Sequence, residues 1–276
     1  MPILPQRKAT PFVKWAGGKA QLLRQLDRFF PTEYETYFEP FLGGGAVFFH
    51  IRPERAVLAD TNPELINAFK VVRDDPRALM AALDSHFLQR TEESHFYRVR
   101  EQHPSDLTKV ERASRTIFLN KTCFNGLYRV NSQGIFNVPW GGYKNPTLYD
   151  RENILAASAA LRGKRILVAD YRKACAGAVA GDFVYLDPPY HPLSETSRFT
   201  SYTKKEFGSR EQRDLSEECK RLDSCSATFM LSNSSTELVR SLYAGFHVET
   251  LKAKRAINSV GSRRGAIDEL LVMNYP

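Results

Sequence analysis

The stretch Thr36-Tyr37-Phe38-Glu39-Pro40-Phe41, followed by Gly43-Gly44-Gly45 and the apolar run from Ala46 to Ile51, constrains the fold more than any other part of this chain. It predicts a buried strand, a glycine turn and a short helix, the first unit of a nucleotide-binding α/β sheet. Glycines let the backbone turn sharply there and let a ligand approach closely. A second short strand, Ala56-Val57-Leu58-Ala59, then ends in Asp60, where an acid is placed to accept hydrogen bonds from ribose hydroxyls. The glycine run is not a GxGxxG phosphate loop, and the sequence holds no GxxxxGK[ST]. The expected ligand is therefore a nucleoside without a pyrophosphate, which favours S-adenosylmethionine over a dinucleotide or ATP.

A later apolar run, Phe183-Val184-Tyr185-Leu186, reads as a buried strand leading into Asp187-Pro188-Pro189-Tyr190. Prolines cannot continue a central ladder, so the chain leaves the sheet at that point. The tetrapeptide offers a carboxylate, backbone carbonyls and a flat ring, parts that suit an exocyclic amino group on a planar base. Taken alone it is equally a strand-terminating turn. Lys14-Trp15-Ala16-Gly17-Gly18-Lys19 precedes a helical stretch with Leu22, Leu23 and Leu26 on one face. It is either a cradle for a carboxylate or phosphate, or an ordinary basic turn.

Together, KWAGGK at 14–19, FEPFLGGGAVFF at 38–49, Asp60, FNGLYRVNSQGIFNVPWGGYK at 124–144, DPPY at 187–190 and RRGAIDELLVMNY at 263–275 resemble the DNA adenine-N6 methyltransferases of the Dam type, the D12 class. The resemblance covers nearly the whole chain. It implies an α/β fold: a Rossmann-like S-adenosylmethionine-dependent methyltransferase sheet with an inserted helical and β-hairpin target-recognition domain. It also implies that Trp15, Lys19, Asp60 and Asp187 contact S-adenosylmethionine, with Glu39 and the pair Asp170-Tyr171 as further candidates near its amino acid and adenine ends. Asp187, Pro188 and Tyr190 are then the expected catalytic residues. Asp187 and the Pro188 carbonyl accept the N6 hydrogens of a flipped adenine, and Tyr190 stacks on its ring, with no metal and no covalent intermediate.

The formal net charge of +8 and the pI near 9.3 call for a polyanionic partner, which the resemblance makes double-stranded DNA. The chain has no run of eighteen apolar residues, and Met1 to Lys8 contain no signal-peptide core. A soluble, cytoplasmic monomer without a membrane partner is expected. Cys123, Cys175, Cys219 and Cys225 form no CxxC pair and no zinc pattern, so they are expected as free thiols.

After Asp60 the strand pattern pauses. Asn62 can cap a helix with Leu65, Ile66, Phe69 and Val72 at helical spacing, and the chain to about Asn120 reads as charged helices. Arg90, Arg98, Arg100, Lys109, Arg112 and Arg115 are expected mostly on solvated helix faces. Strands resume at 165–169, 183–186, 227–232, 246–250 and 269–273. The predicted catalytic domain is thus discontinuous, residues 1–61 and 146–276, around a target-recognition domain at 62–145.

Within that insert, glycines punctuate 124–144 around the turn Asn131-Ser132-Gln133-Gly134, a hairpin signature with almost no aliphatic stripe to bury it. It is either packed through its aromatics or a DNA-probing ribbon, since Arg reads guanine, Asn reads adenine and an aromatic can wedge into a base step. By resemblance, Asn125, Leu127, Arg129, Pro139 and Tyr143 match base- or backbone-contacting positions, and Phe124 matches the aromatic that fills the stack after flipping. GATC is the expected site. Phe124 stands where tyrosine is common, and Gly142 where a basic residue can occur, which puts one hydroxyl and one phosphate contact in doubt. The rival expectations are methyl transfer to another amino group (cytosine N4, an RNA adenine or a protein glutamine) and a catalytically silent DNA-binding relative. A nucleotide-dependent oxidoreductase is disfavoured by the missing GxGxxG.

Overall fold

Side chains of the central strands alternate between two apolar layers, so the sheet is covered on both faces. The computed structural model describes residues 7–192, 207–254 and 266–276; Met1 to Gln6 and the Arg263–Gly265 end of the carboxyl-terminal motif lie outside them. Seven strands form the sheet: β1 (Tyr37–Glu39), β2 (Ala56–Asp60), β3 (Arg165–Val168), β4 (Phe183–Leu186), β5 (Thr228–Ser234), β6 (His247–Lys254) and β7 (Ala266–Met273). Their order is β3-β2-β1-β4-β5-β7-β6. The first five run parallel, and β7 enters antiparallel between β5 and β6. Chain order reverses between β1 and β4, so the carboxyl ends of those strands open a crevice where α/β sheets take their ligands.

One face presents Tyr37, Leu58, Phe183, Tyr185, Met230 and Leu271 to a first core, and the other presents Phe38, Val57, Val184, Leu186, Phe229 and Leu270 to a second. The first core takes side chains from α1 (Leu23–Leu26), α2 (Ala46–Ile51), α3 (Pro63–Asp74), α4 (Pro76–Asp84), α6 (Lys109–Thr122) and α7 (Arg151–Leu161). The second is filled by α8 (Tyr171–Cys175), α9 (Ser209–Ser224) and α10 (Glu237–Leu242). α3 begins where expected: Asn62 Oδ1 accepts from the backbone N–H groups of Glu64 at 3.0 Å and Leu65 at 3.1 Å, and Pro63 fills a position that needs no N–H bond. Its Leu65, Ile66, Phe69 and Val72 pack with Phe48, Phe49 and Leu58, so the first core continues across residue 62 without a break.

A third cluster joins Phe96 and Val99 of α5 (Glu93–Glu101) to Phe118, Leu119, Cys123, Phe136, Val138 and Leu148. The segment has few aliphatic residues, as expected, and packs here through Phe136 and Val138, so the alternative of packing through an aromatic holds in part. The segment folds back antiparallel through the turn at Asn131–Gly134, but in two isolated bridges, Cys123 with Trp140 and Val130 with Phe136, rather than a continuous ladder. Arg115 also departs from expectation. It is 4% exposed, and its guanidinium donates to the carbonyls of Val99 at 3.0 Å and Arg100 at 2.7 Å, satisfying orphan groups at the end of α5. Arg112 pairs with Glu64 instead of facing solvent alone. The expected amino-terminal helix is reduced to a 3-10 turn at Lys19–Gln21 and the single turn of α1. β6 and β7 outrun their expected lengths because an edge hairpin carries polar residues such as Lys252 and Asp268 on its open face. Among the described residues no helix is long and apolar enough to cross a membrane.

Candidate active site

Parallel strands deliver their last residues to one edge of the sheet. Glu39 ends β1, Asp60 ends β2 and Asp187 follows β4. β7 adds Glu269, paired in register with Ser234 at the end of β5. Into this acidic edge reaches Lys19, almost fully buried, from the turn after Gly17 and Gly18. Its ammonium lies 2.6 Å from Asp187 Oδ1, 3.9 Å from Glu269 Oε1 and 4.8 Å from the centre of the Tyr190 ring, and donates to the Gly17 carbonyl at 3.0 Å. The Tyr190 hydroxyl donates to Glu269 Oε1. Tyr37 donates to Glu39 Oε2 at 2.8 Å, and Tyr185 pairs with Ser232 Oγ at 2.9 Å.

Burial governs the charges here. It pushes the Glu39 carboxyl up to about 8, against the opposing pull of the Tyr37 hydroxyl. Burial also outweighs the Lys19 ammonium at Asp187 and Glu269, so both carboxyls titrate above their ordinary values. The loop carrying Asp187 is held from behind by buried amides. The Pro189 carbonyl accepts from Gln212 Nε2 at 3.0 Å, Gln212 Oε1 accepts from Asn233 Nδ2 at 2.9 Å, and Asn233 Oδ1 accepts from the His191 N–H at 3.3 Å. Two prolines remove ladder donors at this point, and the relay fixes the loop without them.

Asp60 straps the glycine turn to β2. Its Oδ2 accepts from the Gly43 N–H at 3.1 Å and its Oδ1 from the Asn62 N–H at 2.9 Å, and the Thr61 N–H also bonds the carboxylate. The Trp15 indole lies against this turn; a Cβ on Gly43, whose φ is +49°, would come within 2.8 Å of Trp15 Cδ1. Asp170 and Tyr171 follow β3, with β2 and β1 between them and Asp187. Asp170 caps α8 through the Lys173 N–H at 2.9 Å, and the Tyr171 ring stacks on Phe41 with centroids 5.5 Å apart.

The six residues expected to face DNA lie apart from this cluster. Phe124 is 51% exposed, and Asn125 is exposed in a left-handed conformation at φ +55°. Leu127 packs on the third cluster, and the Pro139 carbonyl accepts from the Phe124 N–H at 2.9 Å. Arg129 donates through Nε to Asn137 Oδ1 at 2.8 Å. The Tyr143 ring lies under the Lys14 ammonium at 4.9 Å. Besides this Lys14–Tyr143 contact, two more join the regions. Trp15 stacks on Tyr128 at 5.4 Å, and the fully buried Asn120 bonds the Lys14 N–H at 2.7 Å, the Lys14 carbonyl at 2.8 Å and the Gly126 carbonyl at 2.9 Å.

Sequence reasoning missed Glu269, Tyr37, Gln212, Asn233 and Asn120. For all but Gln212, which sits among charged residues of α9, the signal is a polar residue inside or at the end of a buried apolar run. Among the described residues no group of three or more His, Cys, Asp or Glu side chains is arranged to hold a metal ion.

The sequence model of the D12 class N6 adenine-specific DNA methyltransferases matches residues 15–257. The chain belongs to this family. It is 44% identical to the type II methyltransferase M1.LlaDCHI of Lactococcus lactis subsp. cremoris, over 96% of this chain and 95% of that one. It is 42% identical to the type II methyltransferase M.MjaIII of Methanocaldococcus jannaschii, over 96% and 99%. It is also 35% identical to a DNA adenine methylase of Vibrio cholerae serotype O1, over 98% of both chains. The protein is thus an adenine-specific DNA methyltransferase, and the acidic strand ends around Asp187 belong to an enzyme of the D12 class.

Proposed function

We propose that the enzyme works as a cytoplasmic monomer and methylates N6 of an adenine flipped out of duplex DNA, within GATC, with S-adenosylmethionine as donor. The observation that carries this reading is Asp187, a largely buried carboxylate at the crevice between β1 and β4, ion-paired with Lys19 and beside the Tyr190 ring.

The residues present suit that donor. Gly43 lets the Trp15 ring approach the end of β1, Asp60 retains acceptor capacity for a ribose hydroxyl, and Trp15 and Tyr171 each have one face stacked on a neighbouring ring and a second face beside the strand ends. Trp15, Lys19, Glu39, Asp60, Asp170, Tyr171 and Asp187 are the residues we assign to hold it. When bound, it supplies an electrophilic methyl group on a positively charged sulfur.

The adenine N6 lone pair is delocalised into the ring, so the nitrogen is a poor nucleophile. Asp187 and the Pro188 carbonyl accept its two N–H bonds, which favours a pyramidal nitrogen whose lone pair points away from the ring. Asp187 does not take a proton first, because an amino group is far too weak an acid; the proton leaves once the nitrogen is cationic. Asp187 and Glu269 share Lys19, and the surplus negative charge complements that developing cation. Tyr190 stacks on the extruded base.

On the DNA side, Phe124 fills the vacated stack, and Asn125, Leu127, Arg129, Pro139 and Tyr143 contact the duplex. We assign this work to residues 62–145 and the chemistry to 1–61 and 146–276. The exposed position of Phe124 and Arg129 supports the assignment, and GATC rests on their position-by-position match to the Dam type. The test is methyl transfer from labelled S-adenosylmethionine to unmethylated plasmid, with modified bases mapped at single-nucleotide resolution. N6-methyladenine confined to GATC is expected. Another motif would overturn the specificity, and no methylated adenine would overturn the reaction.

A further inference from the structure

β7 is buried and apolar from Leu270 to Met273, yet Glu269 before them is a carboxylate only 7% exposed. Burying a carboxylate costs solvation that an apolar or amide side chain avoids, so its partners have to account for it. Those partners are Tyr190, Lys19 and the Ser232 hydroxyl. The tyrosine hydroxyl donates to Glu269 Oε1, and the Lys19 ammonium stands 3.9 Å from the same oxygen and 2.6 Å from Asp187. Glu269 in turn is fixed by the sheet, pairing in register with Ser234 on one side and Leu251 on the other. Asp187, Lys19, Glu269 and Tyr190 therefore form one chain of charges and hydrogen bonds with its anchor on β7.

We infer that Glu269 is a positioning residue: it fixes the Tyr190 ring through its hydroxyl and draws the Lys19 ammonium away from sole possession of Asp187. The inference rests on the reading that Tyr190 and Asp187 receive the target adenine. A tyrosine ring held by its loop and by its hydroxyl cannot swing about its side-chain torsions, and a stacking surface needs that fixity. The loop end is supplied by the Pro189 relay; Glu269 supplies the other. Lys19 bonds Asp187 at 2.6 Å and feels Glu269 as a second negative charge at 3.9 Å, so removing Glu269 would tighten its hold on Asp187 and reduce the acceptor capacity left for an amino group.

The test compares Glu269→Ala, Glu269→Gln, Tyr190→Phe and the double variant Glu269→Ala/Tyr190→Phe. Two quantities are read: the single-turnover methylation rate, and the fluorescence of 2-aminopurine placed at the target adenine, recorded without donor. Glu269→Ala is expected to slow methylation by about 30-fold, the loss of a hydrogen bond to a charged group, and to change the fluorescence. Glu269→Gln, whose amide oxygen still accepts from Tyr190, should recover most of the fluorescence and part of the rate. The double variant should be no slower than Glu269→Ala. Additive losses, or wild-type rate and fluorescence in Glu269→Ala, would overturn the inference. Should Glu269→Ala fail to fold, Tyr190→Phe decides, since it keeps the ring and removes the hydroxyl that Glu269 holds; wild-type behaviour there overturns it equally. Wild-type protein that methylates no adenine would overturn the functional reading and this inference with it, whereas active wild-type with unaffected variants overturns the inference alone.

Discussion

Around Asp187, the polar side chains are buried or largely so and tied to at least one partner: Lys19 to two carboxylates, Tyr190 to Glu269, Gln212 to both Pro189 and Asn233. In segment 124–144 the reverse holds. Phe124, Asn125 and Arg129 are exposed, two isolated bridges replace a ladder, and Arg129 is bonded to Asn137 in the same segment. Under the proposed function, with segment 124–144 as the reading segment, the difference follows from two tasks. Chemistry requires groups held within a fraction of an ångström, which packing and second partners provide. Reading requires side chains that can trade a local partner for a base edge, an exchange of hydrogen bonds that is nearly neutral in free energy. The two regions meet at Asn120, which holds the backbone of Lys14 and of Gly126 together.

Removing the central carboxylate strikes the held region hardest. Asp187→Ala should lower kcat by about 10³-fold or more, roughly 4 kcal/mol, while DNA affinity in a gel-shift assay stays near wild type. Normal turnover would break the comparison outright. Glu39→Gln comes next and is read through pH. The Glu39 carboxyl, held at about 8 by burial against an ordinary 4.5, keeps its proton in the folded state after the unfolded chain has lost it. Its contribution to stability is therefore complete below the unfolded value and falls as pH rises through the window up to about 8, by at most ~1.4 kcal/mol per pH unit. Glu39→Gln stays neutral throughout, so urea unfolding midpoints of the variant should decline less between those limits. Identical slopes would show that Glu39 is not the buried acid the fold makes of it.

Much of the held region was legible because it is written locally. The apolar runs at Ala46–Ile51 and Phe183–Leu186 became elements with those bounds, since glycines and prolines punctuate them. Asp187 and Lys19 were singled out by motif, and the structure brings them into contact. The bridge from Tyr190 to Glu269 was not legible, because it joins residues 79 apart through the insertion of β7 between β5 and β6. Arg115 looked like one more solvated charge, because only the end of α5, from which it accepts its role, gives it a reason to be buried. In the reading segment the turn at Asn131 was legible, whereas the anchoring of Phe136 and Val138 on α5 and α6 depends on packing that no local pattern encodes.

Gly141→Ala sharpens the comparison from the other side. A Cβ there would come within 2.6 Å of the Tyr143 ring and 2.7 Å of the Cys123 carbonyl oxygen, and backbone cannot yield cheaply. The base of the reading segment should spread at a cost of about 2 kcal/mol. DNA affinity should then fall while calorimetric affinity for S-adenosylhomocysteine is retained. Equal losses in both would mean that the Asn120 link makes the two regions one unit.

Arg129→Ala has the smallest expected effect and the most specific one. Its bond to Asn137 is exposed, so unfolding free energy should change by less than about 0.5 kcal/mol. Discrimination at one base pair should relax toward the lower end of ~1–3 kcal/mol, because Asn137 already offers the guanidinium a competing partner. Methylation rates on GATC duplexes with single substitutions measure this directly. Arg129→Lys separates charge from shape: it keeps the salt dependence of DNA binding but loses the planar fork, so its base preference should relax as far as that of Arg129→Ala. If Arg129→Lys instead preserves the preference, Arg129 acts through phosphate, and the division between a held site and a reading segment must be redrawn without it.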